Sequence, residues 1–395
     1  MLAQSTAPEE TRFLELKPFS DEMIVSMGPQ HPSTHGVLKL ELRLDGEIVR
    51  EAIPHIGYLH RCFEKHAENL SYEQIVPFTD RLDYIASMNQ NWGFCLAVEE
   101  MLTTDPSKFE SVPERAEYLR VLAGELNRIA SHLLAFGTYG MDIGAFTPFL
   151  YAFRDREKIL FLFEKLCGAR LTYNYIRVGG VSRDLPPDFL DDVSDFLDYF
   201  EPKIDEYNAL LTNNKIFIER TAGVAVMDEK MTINYGASGP NLRGAGRKWD
   251  LRKDEPYSIY DQFDFEIPIG EEIPSLGIVL GDCWNRYMVR MDEMKESVKI
   301  LRQLINKEWP EGPIMASMKA IRPPEGEIYS RSETPRGELG FYIISDGSAK
   351  PVRVKVKSPC FAALSALSEL SRGLMLADII AIIGSIDIVM GEADR

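Results

Sequence analysis

The segment at residues 28–36, Gly-Pro-Gln-His-Pro-Ser-Thr-His-Gly, has the clearest capacity for acid–base chemistry. It holds His31 and His35, two of the six histidines in the 395-residue chain, four residues apart. Histidine can give or take a proton near neutral pH because its unperturbed pKa is about 6.5. Two prolines and two glycines oppose a helix here, so the segment is predicted to be a loop that presents two imidazoles.

Three uses of this histidine pair can be compared from the residues alone. Histidines at i and i+4 can bind a metal on a helix, but Pro32 and Gly36 oppose that helix and no glutamate lies between the histidines. The imidazoles could instead bond to the loop backbone as structural groups, or donate protons to a bound ligand. Metal ligation is therefore disfavoured, and the structural and proton-donating interpretations stay open.

A second candidate is Tyr84, in the sequence Asp-Arg-Leu-Asp-Tyr at 80–84, before a predicted helix. Its phenol could donate a proton, although a tyrosine in such a place is commonly an amphipathic residue at the edge of a core. Asp80 and Asp83 have an adequate structural role at the start of a helix, where carboxylates complement the helix dipole.

Asp142 is the third candidate, in the sequence Met-Asp-Ile-Gly-Ala at 141–145. Its neighbours are apolar or small, and it follows a long predicted helix. A surface turn or the N-cap of the next helix would explain it structurally. Buried beside an imidazole, the same carboxylate would instead have a functional role.

Other common site types are not indicated. The glycine-rich stretch 236–246 lacks both the P-loop ending and the strand–glycine–helix context of a dinucleotide site, so no bound nucleotide is expected. The five cysteines form no Cys-x-x-Cys pair, which disfavours zinc, an iron–sulfur cluster and a disulfide framework in this chain. The net charge of −17 argues against a nucleic-acid partner.

The elements around these residues predict an α+β fold that is mainly α. Alternating apolar residues at 36–53 with Asp45-Gly46 at their centre predict a β-hairpin. Helices are predicted at 83–102, 148–168, 188–212, 283–307 and from 360. A further helix is predicted to start at a capping box at 111–114 and to stop at Gly137. An irregular stretch at 322–337 is followed by two predicted strands at 340–344 and 352–356. The apolar run 374–390 contains two aspartates and is predicted to form a buried helix and strand within the fold.

Long segments then identify a family. The matching segments, in order, are GPQHPSTHG at 28–36, PHIGYLHR at 54–61, DRLDY at 80–84, MDIGAFTPF at 141–149, SGPNLRG at 238–244, GDCWNRYMVRMDEM at 281–294, ETPRGELGFYIISDG at 333–347 and GEADR at 391–395. The chain resembles the hydrogenase-derived, quinone-site subunit family of respiratory complex I. Within that family it is similar to the H-type subunit of the cyanobacterial and chloroplast NAD(P)H–quinone oxidoreductases.

The resemblance implies a quinone site shared with a neighbouring subunit. In the family the second histidine of the loop and the tyrosine of LDY face the quinone oxygens, which corresponds to His35 and Tyr84. Asp142 is then the partner of that histidine, while His31 keeps its structural interpretation. The implied chemistry is quinone reduction with protons from His35 and Tyr84 and electrons from a 4Fe–4S cluster in the adjacent subunit. The substrate is expected to be plastoquinone.

The resemblance also implies an architecture and a location. One domain is expected over 1–395, resembling a nickel–iron hydrogenase large subunit without its metal: an N-terminal β-hairpin region at about 20–54, a helical core at about 58–310 and a C-terminal β and helix region at about 338–395. The chain would lie peripherally on the cytoplasmic side of the thylakoid membrane. It would form a hetero-oligomer with the terminal iron–sulfur subunit and with membrane-arm subunits, and the complex would pump protons.

Several points stay open at this stage. Nickel–iron hydrogenases hold their metal with two Cys-x-x-Cys pairs. Here the corresponding positions are Cys62 with Lys65 and Asp387 with Met390, so no nickel is expected. Thr172 stands where many family members have a histidine that influences the neighbouring cluster. The electron donor could be NADH, NADPH or ferredoxin. The alternative function is a structural scaffold subunit whose site has decayed.

Overall fold

The hairpin that follows the histidine loop illustrates how local sequence sets the N-terminal sheet. In the computed structural model, which describes residues 14–16, 22–31, 33, 35–107 and 109–395, strand β3 (Lys39–Asp45) alternates inward leucines with outward charged residues. Gly46 takes a φ of +61° in the turn, where a residue without a Cβ is favoured. The hairpin register, with Asp45 opposite Ile48, confirms the predicted hairpin. Residues 20 and 21 of the predicted N-terminal region lie outside the described residues.

Three antiparallel sheets and fifteen helices make up the described part of the chain. The strands are β1 (Leu14–Leu16), β2 (Glu22–Met27), β3, β4 (Ile48–His55), β5 (Ile176–Arg177), β6 (Gly180–Val181), β7 (Gly326–Thr334), β8 (Gly337–Ser345) and β9 (Arg353–Lys357). They form sheets in the orders β1-β2-β3-β4, β5-β6 and β7-β8-β9. The predicted α+β class, mainly helical with small antiparallel sheets, is confirmed.

The helices supply most of the core. They are α1 (Phe63–Ala67), α2 (Tyr72–Thr79), α3 (Ser87–Thr103), α4 (Glu114–Asp142), α5 (Phe146–Cys167), α6 (Phe189–Tyr207), α7 (Lys215–Thr221), α8 (Glu229–Tyr235), α9 (Pro240–Gly244), α10 (Leu251–Asp254), α11 (Cys283–Ile305), α12 (Pro359–Ser365), α13 (Leu367–Ser371), α14 (Leu376–Ile386) and α15 (Met390–Asp394). A single π-helical turn, Asn208–Thr212, extends α6. Within the described residues, none of these helices has both the length and the apolarity needed to cross a bilayer.

Helix α4 is the central element, with 29 residues that are mostly buried. The predicted stop at Gly137 is wrong, because the helix continues to Asp142. Gly137 instead allows α4 and α5 to approach closely, since a Cβ there would lie 3.1 Å from the Cβ of Ala152. The predicted capping box is also wrong: Pro113 is the N-cap residue, and no side chain caps the first turn.

The C-terminal sheet has one strand more than predicted. Residues 326–334, expected to be irregular, form β7 and pair with the whole length of β8. The inward side chains of this strand include the small polar Ser330 and Ser332, which is why it lacks the apolar alternation of a typical strand. Gly93 of α3 packs on this strand, and a Cβ there would lie 2.8 Å from Ser332 Oγ.

Two apolar clusters form the core of the described residues, and Tyr84 packs against the second of them. One cluster joins helices α3, α4, α5, α6 and α11 to the C-terminal sheet. The other joins the N-terminal sheet to helices α12 to α15. In the run 374–390 the residues from Ile379 onward are mostly buried in this second cluster, as predicted, but Met375 is 45% exposed at the start of α14. The predicted strand is wrong, because a short segment leads from α14 directly to α15. The prediction of one domain over 1–395 remains a prediction.

Candidate functional site

The histidine loop directs His35 inward and holds His31 within the loop. The Nδ1 of His31 accepts a hydrogen bond of 3.2 Å from the backbone N–H of Ser33, so this imidazole bonds to its own loop. His35 has a φ of +49° and Gly36 a φ of +120°, both in the left-handed region. This backbone geometry turns the chain sharply just before β3, and the His35 side chain is only 12% exposed. Two loop residues, 32 and 34, lie outside the described part.

Asp142 is the partner of His35. The Nε2 of His35 lies 2.9 Å from Asp142 Oδ2, and the aspartate side chain is 3% exposed. Asp142 ends α4, and the N-cap residue of α5 is Ala145, so the N-cap interpretation of Asp142 is wrong. A positive imidazolium at this place is stabilised both by the carboxylate and by the negative end of the α4 dipole.

Tyr84 lies between α2 and α3, half-buried in the turn that precedes α3. Burial raises the pKa of its phenol, and the neighbouring Asp83 carboxylate raises it further. The phenol is therefore protonated over the whole physiological range and can donate a hydrogen bond.

The two aspartates of the same segment do not act on a helix dipole. Asp83 is fully buried, accepts a 3.1 Å hydrogen bond from the backbone N–H of Ile85 and pairs with Arg336 Nη1 at 2.6 Å. Asp80 follows the end of α2 and accepts from the backbone N–H of Asn174 at 3.1 Å. Burial raises the pKa of Asp80 to about 7. The prediction of dipole-complementing carboxylates is thus wrong, because α3 begins only at Ser87.

One cavity brings His35, Tyr84 and Asp142 together. Its volume is about 210 Å³, and its wall also includes Ile85, Leu134, Thr138, Met141, Arg336, Asp387, Ile388 and Val389. The three candidates come from the loop before β3, the turn before α3 and the end of α4. Apolar side chains supply much of the remaining wall, as in a site for a flat ring with polar substituents.

Arg336 and Asp387 are wall residues that sequence reasoning did not identify. Arg336 stands in the β7–β8 turn and donates to Asp83 and, at 2.9 Å, to Ser131 Oγ. Its Nη2 lies 3.5 Å from Asp387, which has a φ of +51° after α14. Burial alone would raise the pKa of Asp387, but Arg336 and Arg290 lower it overall. The available signal was a lone arginine in a Pro-Arg-Gly turn between two strands.

Neither the cysteines nor Thr172 takes part in this cavity. Within the described residues, no group of three or more His, Cys, Asp or Glu side chains is arranged to hold a metal ion. Cys62 is exposed and Cys360 is buried. Thr172 lies in the loop after α5, which ends at Cys167, and has a φ of +50°.

Comparison with known proteins gives a consistent family. Residues 142–322 and 315–395 match the family model described as the 49 kDa subunit of respiratory-chain NADH dehydrogenase. The chain is 55% identical over 380 residues to the D-type subunit of NADH-quinone oxidoreductase from Pelodictyon phaeoclathratiforme, covering 95% of this chain and 93% of the relative. It is 54% identical over 381 residues to the same subunit from Chlorobaculum tepidum, with 95% and 93% covered. The counterpart from Chlorobium chlorochromatii is 53% identical over 392 residues, with 98% and 96% covered.

Proposed function

Because the chain belongs to the family of the 49 kDa subunit of respiratory-chain NADH dehydrogenase, we propose that its 210 Å³ cavity binds the headgroup of a quinone during reduction. The relatives are named as subunits of an NADH-quinone oxidoreductase, which makes a quinone the substrate to test first. The family also supports a role as a subunit of a larger oxidoreductase complex. Activity is then a property of the complex and not of the isolated chain.

The observation that carries this proposal is the convergence of His35, Tyr84 and Asp142 on one cavity. These residues are separated by 49 and 58 positions, and each of them reaches the cavity from a different element. The cavity is smaller than the roughly 300–1,000 Å³ that is typical of sites for drug-sized ligands. Its size suits a single substituted ring, and a long isoprenoid tail would extend outside it.

The chemistry of quinone reduction matches the two donors. A quinone has two carbonyl oxygens on opposite sides of its ring and takes up two electrons and two protons to become a quinol. One hydrogen-bond donor at each oxygen stabilises the negative charge that develops during reduction. Tyr84 can supply a phenolic proton, and His35 can supply an imidazolium proton while Asp142 stabilises its charged form.

The electron supply is assigned to a 4Fe–4S cluster in an adjacent subunit that closes the cavity, as the sequence resemblance implies. The complex would hold this chain in its peripheral arm, on the cytoplasmic side of a membrane. Its partners would be the iron–sulfur subunit and subunits of the membrane arm, and quinone reduction would drive proton pumping.

The electron donor and the type of quinone remain predictions from sequence. The names of the relatives give NADH and quinone, whereas the resemblance to the cyanobacterial and chloroplast complexes predicts plastoquinone, a thylakoid location and NADPH or ferredoxin as further donors. Purified complex should be assayed with NADH, NADPH and reduced ferredoxin, each against plastoquinone and ubiquinone analogues. The prediction fails if ubiquinone with NADH gives the only turnover.

The quinone-site proposal is tested with Tyr84→Phe and His35→Ala in the assembled complex. Loss of a positioned acid costs about 10²–10⁴-fold in rate, so each variant should lose at least about 100-fold of its quinone-reduction turnover. Tyr342→Phe is a matched control, because this tyrosine is a half-buried residue of β8 outside the cavity wall, and its phenol donates a hydrogen bond to Glu327. Normal turnover in an assembled double variant would refute the site and favour the scaffold alternative.

A further inference from the structure

A second, much smaller cavity lies behind the wall of the quinone cavity. It has a volume of about 10 Å³ and is lined by residues of α4, α11 and α14, among them His132, Arg290 and Gly384. A volume of roughly 10–15 Å³ is what one water molecule needs, provided that polar groups are there to bind it. The polar groups of this cavity therefore decide whether it is a water site.

His132 presents an acceptor to this small cavity. The histidine is fully buried, and its Nε2 lies 2.8 Å from Glu293 Oε2. Burial alone would raise the pKa of Glu293, but Arg243 and His132 lower it overall, so this carboxylate is ionised and takes the proton of Nε2 as a hydrogen-bond acceptor. Nδ1 is then the unprotonated nitrogen. It has no hydrogen-bond partner among the described residues.

Arg290 connects the small cavity to the large one. Its Nη1 donates to the backbone carbonyls of Arg286 at 2.9 Å and Ser385 at 2.6 Å, which fixes the guanidinium between α11 and α14. Its Nε lies 3.5 Å from Asp387 Oδ2, an ion pair without hydrogen-bond geometry. Within the described part of the chain, Arg290 Nε, Arg290 Nη2 and Asp387 Oδ2 are all buried without a hydrogen bond.

Buried polar atoms without partners are rare in folded proteins, and ordered water commonly satisfies them. Here Arg290 lines the small cavity together with His132, and it pairs at 3.5 Å with Asp387, which lines the quinone cavity. We propose that a water molecule in the small cavity bridges Arg290 and His132, and that a second water joins it to Asp387 Oδ2 beside the guanidinium. His132 with Glu293 would exchange protons with the quinone cavity through these two waters and Asp387, while Arg290 keeps its own protons.

The proton transfer in this proposal changes no covalent bond other than N–H and O–H bonds. A proton that reaches His132 Nδ1 converts the neutral imidazole into an imidazolium, which Glu293 holds through Nε2–H. When the proton leaves through the two waters to the Asp387 carboxylate, the neutral imidazole returns and Asp387 passes the proton on to the cavity. His132 is thus a positioning residue for proton supply and does not contact the quinone.

The charges around His132 set its protonation state at rest. Burial lowers the pKa of His132, the hydrogen bond and charge of Glu293 oppose this shift, and Arg128 and Arg290 add to it. Asp387 faces the same region from the segment after α14, and Arg336 and Arg290 hold its pKa below its ordinary value against the effect of burial. His132 is therefore neutral at rest near pH 7, and it carries a proton only in passing.

The first experiment is a cryo-EM map of the native complex at a resolution that shows ordered water. We expect one density feature within hydrogen-bond distance of both His132 Nδ1 and the Arg290 guanidinium, and a second within hydrogen-bond distance of Asp387 Oδ2. An empty cavity in such a map would overturn the proposal without requiring any variant.

The second experiment measures the turnover of assembled His132→Gln complex between about pH 6 and pH 8.5, across the range where imidazoles titrate. Glutamine retains a donor for Glu293 but cannot carry a proton. We expect turnover close to wild type at the acid end and about tenfold lower at the alkaline end, a smaller loss than for a direct proton donor. His55→Gln is the matched control, because it removes a half-exposed histidine 3.8 Å from Glu41 on the N-terminal sheet.

Parallel pH profiles for His132→Gln and wild type would overturn the proposal. If His132→Gln does not assemble, Ala135→Val is the second variant, since Ala135 lines the small cavity and the added methyl groups would exclude the water. It should show the same alkaline loss, and an unchanged profile would contradict the proposal. The inference rests on the proposed quinone site, and the two fail separately: Tyr84→Phe tests turnover at every pH, whereas His132→Gln tests its pH dependence.

Discussion

The pairing of His35 with Asp142 gives a direct test of how the proposed proton donor is supported. The change is Asp142→Asn, which keeps the shape of the side chain and removes its charge. The His35 Nε2 to Asp142 Oδ2 distance of 2.9 Å lies within the range of a charge-assisted hydrogen bond. Since both side chains are largely buried, solvent screens this interaction little.

The expected loss follows from the strength of such a bond. A hydrogen bond to a charged group contributes about 1.5–3 kcal/mol. If this stabilisation is needed when quinone is reduced, turnover falls about 10- to 150-fold, because each 1.36 kcal/mol of barrier is a factor of about ten. The assay is quinone reduction per assembled complex. Asp45→Asn is the matched control, since Asp45 is a half-exposed hairpin residue paired with Arg50, and exposed pairs contribute little.

A double-variant cycle decides whether Asp142 acts through His35. In a His35→Gln background the aspartate has no imidazole to stabilise, so adding Asp142→Asn should lower turnover by less than about threefold. If the second substitution causes the same loss in both backgrounds, Asp142 acts independently of His35. That outcome would refute the reasoning, even if each single variant is slow.

Two further predictions concern the buried charges around the cavity. Arg336→Met leaves Asp83 buried without its guanidinium, so we expect a loss of about 3–5 kcal/mol in stability, seen as a lower midpoint of thermal inactivation of the complex; an unchanged midpoint would contradict this. Asp80 has a pKa raised to about 7 by burial, so its contribution to stability is complete below its unfolded value of 3.8 and is lost as the pH rises through 7. Near pH 8 the Asp80→Asn variant should therefore be more stable than wild type by roughly 4 kcal/mol at most, seen as a higher temperature of inactivation, and this difference should vanish near pH 4. A constant difference across this range would argue against a titrating Asp80.

Local patterns were sufficient for the elements whose signals lie within a few neighbouring residues. The Asp45-Gly46 pair and the alternating leucines specify the β3–β4 hairpin, and the start of α11 at Cys283 was predicted to the residue. Gly137 was misread because its role depends on Ala152 across the α4–α5 contact, which no local pattern reports. Strand β7 was missed for the same reason, since its small polar inward residues make sense only against α3.

The site shows the same division between local and distant information. The imidazole loop, Tyr84 and Asp142 were identified as candidates from residue types and from resemblance, and the structure brings them to one cavity. The positions of Arg336 and Asp387 could not be predicted, because the chain separates them from Tyr84 by 252 and 303 residues. Asp83 was misassigned because its guanidinium partner comes from the distant β7–β8 turn. Charge pairing across such separations is set by the tertiary fold.

At His35 and Asp387, selection for stability and selection for activity favour the same residues in spite of a left-handed backbone. Both residues have a positive φ, +49° and +51°, although a side chain with a Cβ costs roughly 1–2 kcal/mol in this conformation and glycine does not. The pairs of His35 with Asp142 and of Asp387 with Arg336 and Arg290 offset this cost, because glycine at either position would leave buried charged groups without their partners. A library screened only for heat resistance would therefore retain the imidazole and the carboxylate that the cavity wall uses to handle protons.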